Sequence, residues 1–212
     1  MFKLRQTGLA AYYQPDSMIA EQYRAIRTNL EFGLNGQNVG VLLITSPEVG
    51  DGKTTTTTNL AYLLAQQGKR VLIVDADIRK PDIHRTFNLD NAIGLTDVLH
   101  GRTTFKDAIR QTEIPKLDVL TSGTTLQNSS ELLSSVATKT FIKDVKRQYD
   151  TVLIDVPPVL DATDARVVAH LCDSVIIVIC KGKTKQQYAT ESIRVLQFVK
   201  ANIAGVILNE RT

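Results

Sequence analysis

The chain has 212 residues, 43% hydrophobic and 22% charged, which suits one sizeable soluble domain with its own core. A net charge of +3 is too small to argue for nucleic acid, and no run approaches the ~20 apolar residues of a membrane-spanning helix. Cys172 and Cys180 are the only cysteines; with no secretory leader and no histidines near them, they read as core residues in a reducing cytosol.

Residues 1–16 carry Lys3, Arg5, Tyr12, Tyr13 and Pro15 without a clear period and read as an arm outside the core. Residues 17–212 read as one domain. Ser17 can cap a helix running to about Leu34, in which Glu21, Arg24 and Arg27 share a broad face. Spacing alone makes that face a solvated one with an intrahelical ion pair.

Val41–Ile44 is an apolar run without polar alternation, the pattern of a buried strand. It feeds Ser46-Pro47-Glu48-Val49-Gly50-Asp51-Gly52 and then Lys53-Thr54 at the head of a helix. Strand, glycine-containing loop, Lys-Thr, helix is the layout of a phosphate-binding loop. Gly50 and Gly52 allow backbone conformations that a Cβ penalises, so that successive N–H groups can face one anion. The helix adds its positive N-terminal end, Lys53 reaches the β- and γ-phosphates, and the Thr54 hydroxyl holds Mg²⁺. Pro47 stands where the usual pattern has its first glycine.

The helix from Lys53 should end near Gln67, before Gly68. Its threonine run, Thr54 to Thr58, is poor helix material, so packing must hold it. A second buried strand, Val71–Val74, delivers Asp75-Ala76-Asp77-Ile78-Arg79-Lys80-Pro81. Carboxylates at a parallel strand's C-terminal end sit where open α/β sheets bind ligands. In extended chain Asp75 and Asp77 would point the same way, which needs a cation or proton between them.

Short helices are expected near residues 94–99 and 105–109, a strand at Leu117–Leu120, a polar loop from Ser122 to Ser130, and one helical stretch from Glu131 to Tyr149. Thr151–Ile154 is another apolar strand and ends at Asp155-Val156-Pro157-Pro158. A strand ending in Asp some distance after the loop is what the second metal-organising motif of a nucleotide-hydrolysing site looks like. A helix from Asp161 to Leu171, a strand from Ser174 to Cys180, a helix from Thr184 to Lys200 and a strand from Ala204 to Leu208 complete the pattern. Alternating strands and helices predict an α/β fold, a mostly parallel sheet with helices on both faces.

Three motifs together carry a family likeness: Thr45-Ser46 through Gly50-Asp51-Gly52-Lys53-Thr54, Leu72 to Pro81, and Leu153 to Pro158. With them the chain resembles the bacterial P-loop tyrosine kinases of capsule and exopolysaccharide synthesis, a branch of the MinD/ParA-like P-loop NTPases. The likeness runs from about Ala20 to Asn209. It implies transfer of phosphate from ATP to a tyrosine hydroxyl, with Mg²⁺. Catalysis would then involve Lys53, Asp75 and Asp77, with Asp75 taking or orienting the tyrosine proton and Asp77 and Asp155 joining Thr54 around the ion. Val49, Gly50, Asp51, Gly52, Lys53, Thr54 and Thr55 would form the loop that binds nucleotide; Arg79 would bind phosphate or pair structurally, and Asn209 would contact the adenine.

The resemblance also recasts Glu21-x-x-Arg24-x-x-Arg27 as the family's segment for assembly into a ring, implying a homo-oligomer, an octamer. It implies tyrosine-containing protein substrates, no nucleic acid, and activation by the cytoplasmic segment of a transmembrane chain-length regulator. The kinase would then lie at the inner face of the cell membrane through that partner.

Two departures stand out. Val49 replaces the usual proline, and only Glu210-Arg211-Thr212 follow Asn209, where relatives carry a tyrosine-rich tail. A removed tail, a different substrate and a degenerate relative all remain open. Rival readings are a MinD/ParA-like switch ATPase and an ATP-binding scaffold. Against the switch stands Glu48, in the position where that group carries a lysine.

Overall fold

A mostly parallel sheet of seven strands runs through the computed structural model, which describes residues 8–33, 39–124 and 128–210. In chain order the strands are β1 (Gly40–Thr45), β2 (Val71–Asp75), β3 (Arg110–Gln111), β4 (Leu117–Leu120), β5 (Thr151–Asp155), β6 (Ser174–Cys180) and β7 (Ile203–Asn209). They lie side by side as β3-β4-β2-β5-β1-β6-β7, and only the short β3–β4 pair is antiparallel. The helices are α1 (Ala10–Tyr13), α2 (Met18–Gly33), α3 (Lys53–Gln66), α4 (Ile83–Phe87), α5 (Leu95–Leu99), α6 (Phe105–Ala108), α7 (Ser129–Ser134), α8 (Val136–Gln148), α9 (Asp164–Ala169) and α10 (Gln186–Phe198).

The inner strands β1, β2, β5 and β6 read as continuous apolar runs because both of their faces are covered. Val41, Leu43, Leu72, Val74, Val152 and Ile154 face one core with Phe141, Val145, Val168 and Leu196 of the helices. Their neighbours Leu42, Ile44, Val71, Ile73 and Leu153 face a second core with Leu60, Leu64, Ile83 and Phe87. That is the period of two expressed on two buried surfaces. Because β1, β2 and β5 are neighbours in register, Asp75 lies opposite Asp155, and the phosphate loop leaves β1 beside them. The ligand end of the sheet is assembled by that register.

The described part of the arm differs from the expectation. Leu9 and Ala11 are buried, the Ala11 amide donates to Asn59 Oδ1 at 2.8 Å, and Asn59 Nδ2 and Thr58 Oγ1 both donate to the Gly8 carbonyl. A short apolar turn therefore docks on α3 and seals one face of its threonine run, a contact no local pattern signals. Lys3 and Arg5 of the arm, Leu34 at the expected helix end, and residues 125–127 of the polar loop lie outside the described residues.

The helix expected over 131–149 is two helices. Ser135 takes extended backbone; its amide donates to the Leu132 carbonyl and its Oγ accepts from the Thr138 amide, so it ends α7 and caps α8. The helix expected from Asp161 begins at Asp164, after a turn in which the Pro158 carbonyl accepts from the Asp161 and Ala162 amides. Among the described residues no helix is long and apolar enough to cross a membrane.

Candidate nucleotide and phosphotransfer site

The loop between β1 and α3 takes the shape its glycines permit. Gly50 has φ +79° and Gly52 φ +100°, both left-handed, and a Cβ on Gly52 would come within 2.2 Å of Asn209 Nδ2. Asp51, between them, is fully buried: its Oδ2 accepts from the Glu48 amide at 3.0 Å and its Oδ1 pairs with Lys183 Nζ at 2.8 Å. Asn209 Nδ2 donates to the Asp51 carbonyl at 2.9 Å. Asn209, expected at an adenine, also braces the loop itself.

Lys53 opens α3 and points at the acidic strand ends. Its Nζ lies 2.9 Å from Asp77 Oδ2 and 3.9 Å from Asp155 Oδ2. Burial alone would lower the ammonium's proton affinity, but the carboxylates of Asp155, Asp77 and Asp75 outweigh it and hold Lys53 firmly charged. The Thr54 hydroxyl donates to Asp155 Oδ2 at 2.7 Å, and Thr57, one turn on, donates to Asp155 Oδ1 at 3.4 Å. Burial pushes the Asp155 carboxyl upward in proton affinity, opposed by Lys53 and Thr54.

Asp75 and Asp77 do not point the same way. β2 ends at Asp75, so strand alternation stops there. Asp75 turns inward, where Oδ1 accepts from the Asp77 amide at 3.2 Å and Oδ2 from the Ile83 amide at 3.1 Å. It is fully buried, and burial first, then Asp155 and Asp77, raise its proton affinity well above the ordinary carboxylate value. Asp77 instead faces the cleft and Lys53.

That cleft has a volume of about 930 Å³ and runs from Gly50 and Gly52–Thr55 past Asp77 and Arg79 to Pro157 and Pro158. Val49 lines it and is exposed. Arg79 lines it too, but its guanidinium bonds Ser129 Oγ at 3.1 Å and Asp164 Oδ1 at 3.4 Å, tying the acidic loop to α7 and α9. Lys80 and His84 also line it; the His84 Nδ1 is buried without a hydrogen bond. Thr57, Asp164 and Lys183 carried no motif signal. Thr57 alone was reachable, as the residue one helical turn after Lys53.

Lys53, Thr54, Asp77 and Asp155 come together, while Glu21, Arg24 and Arg27 lie elsewhere on α2. Arg24 pairs with Glu21 at 2.7 Å and also bonds the Pro15 carbonyl, and Arg27 donates to the Leu63 carbonyl at 3.3 Å. Oxygens of Asp77, Thr54 and Asp155 surround the Lys53 ammonium at 2.9, 3.5 and 3.9 Å, and their chemistry suits a hard cation such as Mg²⁺ beside it. Among the described residues no cluster of three acidic, His or Cys ligands forms a closed cage. Mg²⁺ takes few protein ligands and completes its shell with water and phosphate oxygens, so the set is adequate.

Comparison with known proteins shows the family and the fold. The family model of the AAA domain matches residues 40–207. The tyrosine-protein kinase YwqD of Bacillus subtilis is 41% identical over 204 residues, 96% of this chain and 86% of the relative. Among solved structures, the chimerical protein CapA2B2 superposes with a TM-score of 0.92 at 37% identity, covering 99% of this chain and 92% of that one. The kinase domain of the Escherichia coli tyrosine kinase ETK superposes at 0.91 with 32% identity, over 94% and 78% of the two chains. The cell division ATPase MinD of Pyrococcus furiosus shares the fold less fully, with a TM-score of 0.69 and 28% identity over 80% of this chain and 71% of that one. With a matched domain spanning most of its length and a kinase relative matched nearly end to end, the chain belongs to the bacterial tyrosine-protein kinases, on a MinD-like P-loop fold.

Proposed function

We propose that this chain transfers the γ-phosphate of ATP to tyrosine hydroxyls of proteins serving capsule or exopolysaccharide synthesis. The observation that carries the reading is the juxtaposition of Lys53 with Asp77 and Asp155 at one end of a phosphate loop, open to a cleft with room for an acceptor. The amides of Gly50 to Thr55 bind the phosphates, and Lys53 neutralises the charge that builds on the transferred group. Thr54, Asp155 and Asp77 would hold Mg²⁺, which would supply positive charge beside the phosphates. Asp75, the carboxylate at the end of β2, takes the tyrosine proton. Since the Asp77 and Ile83 amides cover its oxygens, the turn at Pro81–Ile83 must open for that step.

Glu21, Arg24 and Arg27 serve assembly into a ring, an octamer, that presents tyrosines to neighbouring subunits. The activating partner is the cytoplasmic segment of a transmembrane chain-length regulator, which places the kinase at the inner face of the membrane. Incubation with ATP and Mg²⁺, a tyrosine-rich acceptor peptide and that activating segment, beside Lys53→Ala, tests the core of the reading. Phosphotyrosine found by mass spectrometry in the native chain and absent from the variant is the expected result. ATP hydrolysis without phosphotyrosine would instead assign a switch ATPase or scaffold.

A further inference from the structure

Outside the cleft, the phosphate loop is gripped from behind by a second element. The turn after β6 is tightly held: the Cys180 carbonyl accepts from the Lys183 and Thr184 amides at 3.1 and 2.9 Å, Thr184 Oγ1 accepts from the Cys180 amide at 2.8 Å, and the Lys181 amide donates to the Asn209 carbonyl. From this turn Lys183 reaches back to the loop. Its ammonium donates to the Val49 carbonyl and pairs with Asp51 Oδ1 at 2.8 Å. The Lys183 side chain is 39% exposed, whereas that of Asp51 is wholly covered. Lys183 does not line the cleft.

Resting on the reading of this loop as the nucleotide site, we infer that Lys183 is a positioning residue for nucleotide binding. It acts through Asp51 and Val49 and never touches phosphate. Asp51 organises the curl by accepting from the Glu48 amide, but it does so with a carboxylate between the two glycines whose amides must attract an anion. A buried negative charge there would repel a triphosphate through a low-dielectric medium. Lys183 cancels that charge and pins the Val49 carbonyl, leaving the loop amides as the field the phosphates meet. The device lets the chain use an acid as the internal brace of an anion-binding loop.

The test is titration of Mg-ADP into the native chain, Lys183→Met, Lys183→Arg and the double variant Lys183→Met/Asp51→Asn, with thermal melts of each. Lys183→Met should bind at least about tenfold more weakly, a Kd effect, while kcat at saturating ATP falls by less than about threefold. Lys183→Arg should restore most of the affinity, because it restores the charge. The double variant should also recover most of the loss, because no buried charge remains to be cancelled. Native affinity in Lys183→Met would overturn the inference. So would a double variant as weak as Lys183→Met, since Lys183 would then act on phosphate directly. Should Lys183→Met fail to fold, the double variant decides alone: near-native affinity supports the inference and lost affinity overturns it. The expected pattern in a chain that makes no phosphotyrosine would defeat the kinase reading and leave Lys183 in its role. A native chain that binds no Mg-ADP would overturn both.

Discussion

Lys53 sits where three carboxylates compete for one cation, and the site's electrostatics follow from that. Removing it leaves Asp77 and Asp155 without their shared counter-charge and, on the proposed reading, takes a fixed cation from the transferred phosphate. Lys53→Met should lower turnover by about 10²–10³-fold, read as initial rates of phosphotyrosine formation at saturating Mg-ATP. Asp75 makes a different prediction. A carboxyl whose folded proton affinity is raised stabilises the fold fully below its unfolded pKa, and that contribution is lost as pH rises through the folded value. Asn at 75 does not titrate, so the melting temperature of Asp75→Asn relative to the native chain should climb steadily from about pH 4 upward. A difference independent of pH would show that Asp75 does not carry this cost.

At the scale of elements, α3 shows how a poor helix sequence is held. Thr57 donates its hydroxyl to the Lys53 carbonyl, Asn59 Nδ2 donates to the Thr55 carbonyl, Thr54 bonds Asp155, and the docked segment around Leu9 covers Thr58 and Asn59. Leu9→Ala should cost about 2–5 kcal/mol in urea unfolding, the range for emptying a fully buried leucine site. A value near zero would show that the segment is not part of the folded core. On α2, the Glu21–Arg24 pair is an exposed i,i+3 contact, worth at most about 0.5 kcal/mol to the single chain. Glu21→Ala, which leaves the Arg24 bond to the Pro15 carbonyl in place, should therefore leave monomer stability within about 0.5 kcal/mol. It should also shift the mass measured by light scattering from a ring to the monomer. An unchanged mass would remove the pair from assembly.

For the whole molecule, the site is a meeting of three strand ends, and its ligand should tie them together. Mg-ADP at 100 times its Kd should add about 2.7 kcal/mol of stability, roughly a 5–10 °C rise in melting temperature for a chain of this size. Lys53→Met should show much less of that rise.

The amino-acid sequence alone determined the α/β class, the phosphate loop and the two acidic strand ends, because each is local: unbroken apolar runs mark strands buried on both faces, and glycines mark the backbone that must curl. It could not determine which carboxylate faces the cleft. That depended on where β2 stops and on the amide of Ile83, eight residues beyond Asp75. Nor could it show Ser135 splitting a helix in two, since hydrophobic period continues across a cap. The docking of Leu9 on α3, the brace of Asn209 and the ion pair of Lys183 with Asp51 join residues 48 to 158 positions apart. Only the tertiary structure decided these: the first forms where the arm packs on α3, and the other two arise because the parallel register of β1, β6 and β7 brings the ends of β6 and β7 beside the loop that follows β1.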